Sequence, residues 1–414
     1  MLNNDTSIET HVPSSSNFVT ANPMPPRLEE AGAVVAEEGP FTGLPLHYGW
    51  VADEQEKYEA GQGFAYLGPV GVVKVTGVDR SSWLTSLFSQ VLTGLSPDDS
   101  VEALLLDPQG RIEFQMAVKD DGDTTWLVTD PQDAVGLADF LDSMRFMMRV
   151  DVEDVSDDFT LFSTDNEQGN GESLGSIKDL GAWVADHGGV QWVDPWPGVT
   201  KGGAQYFTGN HPSRLHQFRL YVLPKKWAGE FIDLLTSQPN PLSPVGVLAA
   251  NATRVAAWRP LSKFEVDDRA MPAELDLLRS AVYLEKGCYR GQESVARIVN
   301  LGRPPRRLTF LHLDGSGAGL PEEGAAVALN GRQVGHVTSV AEHWELGPIA
   351  LALIKRNLNP SEQVSVDGVD AAQEVIVPVD GKSDHSPTER PGVGLRRLAT
   401  DKPDIRTTGP GAKR

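Results

Sequence analysis

The sequence predicts an α+β fold that ends in a β-rich domain. Three observations carry this. Short apolar or alternating runs of strand length are separated by tight-turn residues, two such groups are each followed by an amphipathic helical pattern, and the last ordered part holds strands alone. No GxGxxG follows a strand and no GxxxxGK[ST] is present, so a doubly wound nucleotide fold is not indicated.

The elements follow in chain order. Residues 1–40 are rich in Ser, Asn, Pro and Thr and read as a disordered lead. A first α+β unit is expected over 41–155. It opens with a strand at Gly71–Val75 and a turn in which Asp79 is placed to cap a helix. Trp83, Leu84, Leu87, Phe88 and Val91 mark the apolar face of that helix. Val101–Asp107 and Arg111–Val118 flank Pro108-Gln109-Gly110 and read as two strands joined by a tight turn. Thr124–Asp130 is another strand. Leu137, Phe140, Leu141, Met144 and Met148 then define an amphipathic helix, with Met144, Met147 and Met148 read as core filler. A second α+β unit is expected over 156–245. Phe218, Leu220 and Val222 alternate as a half-buried strand, and Trp227, Phe231, Leu234 and Leu235 form a helix face. Over 306–378, Arg307–Leu313, a hairpin at Asn330-Gly331 and Gly347–Ile354 read as a small β-barrel or sandwich. GSGAG at Gly315–Gly319 is a loop, and 379–414 reads as a disordered basic tail.

Composition excludes several function classes. A formal net charge of −21 repels the chain from bulk phosphate backbone, so nonspecific nucleic-acid binding by the body is not expected. The exception is the tail from Gly381 to Arg414, with eight Lys/Arg against four Asp/Glu. The RPPRR cluster (Arg303, Arg306, Arg307) reads as solvated surface. No apolar run is long enough to span a membrane, and the first residues lack a signal-peptide core. A single cysteine and no CxxC pair point to a reducing, cytoplasmic setting. His312, His336 and His343 lack a metal-ligand spacing, and no metal site is expected.

That cysteine, Cys288, lies in EKGCYRGQES (Glu285–Ser294). Thiolate is the reactive form, and Lys286 is close enough in sequence to favour it. Gly287 and Gly291 remove side chains, which lets a ligand or partner approach the backbone. Val295, Ile298 and Val299 have helical spacing, and a helix starting near Tyr289 would put the thiol at its N-terminus. The other reading is a buried, inert cysteine.

KGCYRGQE (Lys286–Glu293) resembles the K-G-C-Y-x-G-Q-E signature of the folate-binding YgfZ family. That family is related to the glycine cleavage T protein, a tetrahydrofolate-dependent aminomethyltransferase. LLLDPQGRI (Leu104–Ile112), Met271-Pro272-Ala273-Glu274, the run from Arg297 and Gly302 through Arg306, Arg307 and Leu308, VGHVTSV (Val334–Val340) and GPIALALIKR (Gly347–Arg356) are similar to further family segments. The resemblance spans roughly residues 45–375 and leaves out both tails.

It implies a GcvT-like three-domain ring around a central folate channel, closed by a C-terminal β-barrel. A segment at 246–305 carrying the signature would face that channel. The implied cofactor is tetrahydrofolate or a derivative. Cys288 and Lys286 would be the chemical pair, with Gly287, Tyr289, Gly291, Gln292, Glu293, Arg297 and Glu274 as folate contacts. The implied role is that of an accessory factor for assembly or repair of iron–sulfur clusters, with client or assembly proteins as partners, including tRNA-modifying radical enzymes. The alternative is an aminomethyltransferase or another one-carbon transferase. Phe114 and Gln115 stand where the T protein's segment carries its aspartates, and Glu113, one position away on a strand, points to the opposite face.

Overall fold

The structure is a computed structural model, and it describes residues 24–165, 180–237, 241–316 and 319–387. Among the described residues, three large β bodies stand beside a two-stranded ribbon. The first is a five-stranded antiparallel sheet in the order Ser100–Leu106, Ile112–Asp120, Thr124–Thr129, Gly71–Thr76, Asp151–Asp154. The second, also five-stranded, runs Val190–Val193, Arg219–Pro224, Phe159–Thr164, Gly63–Gly68, Ser243–Val245, with the last pair parallel. The third is a closed six-stranded barrel: Arg306–Leu313, Gly347–Lys355, Arg332–His343, Ala326–Leu329, Val364–Val366 and Val369–Val375.

The first sheet is covered on both faces, which explains why Ala103, Leu104, Leu105 and Leu106 are consecutive, apolar and fully buried. Ala103 and Leu105 meet Trp83 and Leu84 of helix Arg80–Leu87 and Leu137 and Leu141 of helix Ala134–Ser143. Leu104, Leu106 and Ile112 face the other way, into a core shared with residues 252–299 and with Leu308, Phe310 and Leu351 of the barrel. Each such leucine contributes about 1.5–3 kcal/mol by leaving water. Val72, Trp126 and Val128 pack on Phe159, Val190 and Val222, joining the first sheet to the second.

Several expectations are corrected. Residues 41–155 are not one unit. Gly63–Gly68 pairs with Phe159–Thr164 and with Ser243–Val245, so the chain enters the second sheet before it builds the first. Residues 24–40 are not part of a disordered lead. They form helix Pro26–Glu30 and a strand Val34–Val35 paired with Pro45–His47. Met24 and Leu28 bury beside Phe231, and Arg27 pairs with Asp233 at 3.2 Å. The front of the basic tail is likewise docked: Ser386 donates to the Val299 carbonyl at 2.6 Å and Asp384 accepts from the Gln205 amide at 3.0 Å. The rest of both tails, 1–23 and 388–414, lies outside the described residues, as does part of the GSGAG loop.

Asp79 precedes its helix but does not cap it with its side chain; the carboxylate binds Arg149 instead, at 2.7 Å. The methionine cluster is mostly surface. The helix stops at Ser143 because the chain must turn to reach the edge strand Asp151–Asp154. In that turn Phe146 is 83% and Met147 94% exposed, Met148 is also exposed, and only Met144 packs on the core.

Candidate functional site

Helix Gln292–Leu301 begins at Gly291, whose φ is 82°, a left-handed value that glycine adopts without strain. Gly110, in the Pro108-Gln109-Gly110 turn, has φ 80° and lies against it. A Cβ on Gly291 would sit 2.6 Å from the Asp107 carbonyl and 3.0 Å from the Gly110 Cα; one on Gly110 would sit 2.7 Å from Ser294 Cβ. Two separate motifs of the sequence are thus packed backbone to backbone. Arg290 pairs with Glu113 beside this contact, Nη2 to Oε1 3.1 Å. Replacing Gly291 with alanine is expected to destabilise the protein by about 2–4 kcal/mol, from left-handed strain plus the clash. Urea unfolding checks this, and an unchanged midpoint would show that the two loops separate freely.

The helix starts three residues later than Tyr289, so Cys288 is not at its N-terminus. The thiol is exposed on the loop that precedes it, not buried. The Lys286 ammonium is committed elsewhere. It donates to the carbonyls of Thr85 and Phe88 and, at 3.2 Å, to that of Gln90. These include the end of helix Arg80–Leu87, where carbonyls lack intrahelical donors. Burial pulls its pKa down to about 8. Gln292 closes the loop by donating to the Lys286 carbonyl at 3.2 Å. Tyr289 packs in the core with its hydroxyl unpartnered, and burial pushes its pKa up. Gly287, Glu293 and Arg297 are exposed. Glu274 is fully buried and apart from the loop's chemistry: it accepts from Arg306 at 2.9 Å and from the Met271 amide at 3.2 Å, tying 271–274 to the first barrel strand.

A second group of side chains, which the sequence reading missed, lies in the seam between the sheets and the 246–301 segment. Arg259 is buried between two buried carboxylates, Glu102 at 2.9 Å and Asp194 at 2.8 Å. Glu102 also accepts from Ser280 at 2.5 Å and from Gln115 at 2.7 Å. Burial pushes the Asp194 carboxyl up to about 6, against the pull of Arg259. Trp196 lies between the Arg259 and Arg279 guanidiniums, each 5.0 Å from its ring. Beyond Arg279 come Asp276, His211 and Tyr206, all buried. The sequence did hold a signal: Arg259 in TRVAAWRP and Asp276 and Arg279 in ELDLLRSAVYL are charges inside apolar runs, which are rarely buried without a partner or a task.

Comparison with known proteins follows this geometry. Residues 306–383 match the glycine cleavage T-protein C-terminal barrel domain. The solved aminomethyltransferase T of the glycine cleavage system from Bartonella henselae superposes with a TM-score of 0.65, covering 86% of this chain and 97% of that one at 17% identity. The fold is that of the glycine cleavage T proteins. Sequence relatives agree. An aminomethyltransferase of Thermosipho melanesiensis is 22% identical over 350 residues, 83% of this chain and 92% of the relative. One from Symbiobacterium thermophilum is 34% identical over 124 residues, about a third of each chain. At1g60990, a chloroplastic Arabidopsis thaliana protein named as a candidate transferase, is 23% identical over 279 residues, and the match spans 60% of its length.

Within this T-protein-like fold, the strand Ile112–Asp120 sends Phe114 into the core under the two helices and Gln115 into the seam. Phe114 packs towards Gly136, and Gln115 is buried, held by Glu102 and the Pro260 carbonyl. Glu113 does not follow a regular alternation: Leu105 pairs with Phe114 and Leu106 with Ile112, which leaves Glu113 at a bulge, where its carboxylate binds Arg290. The carboxylate nearest Gln115 is therefore Glu102, and it is already bound by Arg259 and Ser280. Among the described residues no helix is long and apolar enough to cross a membrane.

Proposed function

We propose that this chain is a folate-binding accessory protein that serves iron–sulfur enzymes in a reducing compartment, and not an aminomethyltransferase. The observation that carries the first half is a set of polar atoms buried in the seam without a hydrogen bond: Tyr206 Oη, His211 Nε2, both Asp276 oxygens, Arg279 Nη1 and Gln115 Oε1, with only the longer 3.5 and 3.6 Å contacts of Arg279 and His211 to Asp276 among them. Buried polar groups are nearly always satisfied, and a run of exceptions in one place suits a polar ligand. These residues, flanked by Trp196 and Trp258, have the donors, acceptors and flat apolar walls that a tetrahydrofolate ring system needs. When bound, that cofactor supplies a carrier for one-carbon groups. The relatives named as aminomethyltransferases support a T-protein-like origin for such a site.

Glu102 argues against aminomethyl transfer. A carboxylate that orients an amine must be free to meet it, and this one is locked in an ion pair. The exposed thiol on the KGCYRGQE loop is the group left to meet a partner. One thiolate supplies too few ligands for a cluster of its own, so any iron–sulfur cluster handled here is cargo shared with a client. The test has two parts. Tetrahydrofolate binding is measured by tryptophan fluorescence and calorimetry, and turnover is assayed with an aminomethyl donor. Iron–sulfur enzyme activities are then compared in cells carrying wild type, Cys288→Ala or no protein. Binding without turnover, and client loss in both mutant strains, is the expected result. Turnover, or client activities indifferent to the protein, would replace this reading with the one-carbon transferase.

A further inference from the structure

Helix Ala134–Ser143 runs into the turn RFMMR (Arg145–Arg149), which leads to the edge strand Asp151–Asp154. A contiguous exposed apolar patch is more informative than a single exposed side chain, and this turn builds one. Phe146 is 83% and Met147 94% exposed, and Val78, from the turn before helix Arg80–Leu87, is 71% exposed. Val78, Phe146 and Met148 line an open cleft of ≈ 580 Å³, with Arg145 and Arg149 at its sides. Met147 is not part of the cleft wall. It projects beside it.

The turn is fixed in place. Phe146 has φ 44°, a left-handed value that a bulky residue rarely adopts and that persists only where the surroundings impose it. The Met148 amide closes the turn on the Arg145 carbonyl at 2.9 Å. The Arg149 amide and Nε both donate to Asp79 Oδ2 at 2.9 Å, and Nη2 donates to Oδ1 at 2.7 Å. Gly77 packs so close that a Cβ there would sit 2.2 Å from the Arg149 carbonyl. The two turns are locked together. The exposed side chains are therefore held on an ordered backbone, which removes part of the ordering cost of a contact.

We propose that this patch is a contact between two copies of the chain, with each Met147 seated in the other copy's cleft. Projection and cleft lie side by side on one surface, so a two-fold axis between them fills both at once, as a self-complementary dimer requires. Charge agrees. The chain carries −21 and repels its own copies over most of its surface. Here Arg145 faces Asp142 at 3.4 Å and Asp151 at 3.5 Å, and Arg149 holds Asp79. Two cations stand against three anions, so the patch is close to neutral and both signs can pair across the axis. The neighbouring edge strand is not the contact, because Asp151, Glu153 and Asp154 would oppose their own copies. The four apolar side chains expose on the order of 500 Å² in each copy. Two such patches come to about 1,000 Å², the lower bound for a specific interface. The dimer is therefore weak and depends on concentration. It is independent of the folate reading.

Sedimentation velocity on the full chain, from about 1 to about 200 µM, tests this. The expected result is a 44.8 kDa monomer at low concentration that shifts towards twice that mass as concentration rises. The shift should strengthen from roughly 0.05 to 0.5 M salt, because salt screens the overall repulsion and spares an apolar contact. Met147→Asp and Phe146→Gly should each weaken association at least tenfold. Glycine takes a left-handed φ without strain, so Phe146→Gly should unfold in urea at the wild-type midpoint or above it, which separates loss of the contact from loss of the fold. A wild type that stays monomeric across the range overturns the proposal and leaves the patch to a different protein. A dimer that both variants keep also overturns it, since the contact then lies on another face. Dissociation by salt counts against it as well, because ion pairs and not Met147 would then hold the copies.

Discussion

Replacing Arg259 with alanine is expected to destabilise the protein by about 3–5 kcal/mol, a large part of the 5–15 kcal/mol that a folded domain commonly has. The reason is the pair it leaves behind. Glu102 and Asp194 are 1% and 4% exposed, and Arg259 is the cation between them. Urea unfolding at pH 7.5 measures the loss. The pH dependence gives a sharper readout. The Asp194 carboxyl has a folded pKa of about 6, above the ordinary 3.8. Between those values the folded state binds the proton more tightly than the unfolded chain, so this group adds stability as pH falls through 6 and stops adding it below 3.8. Without Arg259 the upward shift grows, because the attraction opposing burial is gone. The variant's deficit should therefore shrink between pH 7.5 and pH 5. A deficit that is the same at both would mean the carboxylates are rehydrated by local opening. In an Asp194→Asn background, Arg259→Ala should cost measurably less, since the two residues share one interaction.

Lys286→Met should cost about 2–3 kcal/mol, while keeping the apolar stem. The ammonium holds the carbonyls of Thr85, Phe88 and Gln90, and bonds to a charged donor are each stronger than neutral ones. Its folded pKa of about 8 is below the ordinary 10.5. Between those values the unfolded chain binds more protons, so wild-type stability gains from this group as pH rises from 8 to 10.5, and the methionine variant lacks that slope. Parallel pH profiles for the two proteins would contradict the burial of this amine. The same variant separates two ideas about the thiol. The sequence places Lys286 two residues from Cys288 and suggests that it favours thiolate. The structure gives its Nζ to carbonyls, so the alkylation rate of Cys288 should change less than about twofold. A tenfold fall in a folded variant would restore the lysine to a chemical role.

What was legible in the sequence was mostly local. The strands on either side of Pro108-Gln109-Gly110 and the hairpin at Asn330-Gly331, with φ 50° and 75°, are specified by neighbours in the chain, and both formed as read. The barrel's hairpins are of this kind, but its closure is not, because Arg306–Leu313 pairs with Gly347–Lys355 and with Val369–Val375. The allegiance of Gly63–Gly68 was not legible, because its partners begin about ninety residues later and nothing in its own six residues names them. The site divides the same way. The glycines of the signature loop announce close approach, and the loop does pack backbone to backbone on Gly110. Glu102, Asp194, Arg259 and the Asp276/Arg279 pair come from four places that share no spacing. Only the oddity of a charge inside an apolar run marked them. Met148 differs in another way: the helical spacing from Met144 continues past Ser143, where the chain has already turned outward and Met148 is exposed.

The split allegiance of Gly63–Gly68 also sets a timetable for biosynthesis. This strand leaves the ribosome before any residue of the first sheet, Gly71 to Asp154, yet its antiparallel partner starts at Phe159 and its parallel one at Ser243. At 5–20 residues per second it waits roughly 5–20 s for the first partner, and about twice that for the second. The sheet that begins later can close earlier. During the wait, Phe64, Ala65 and Tyr66, all destined for the interior, lack their partner strand, so the nascent chain is most exposed to aggregation and most in need of a chaperone while residues 69–164 are being made.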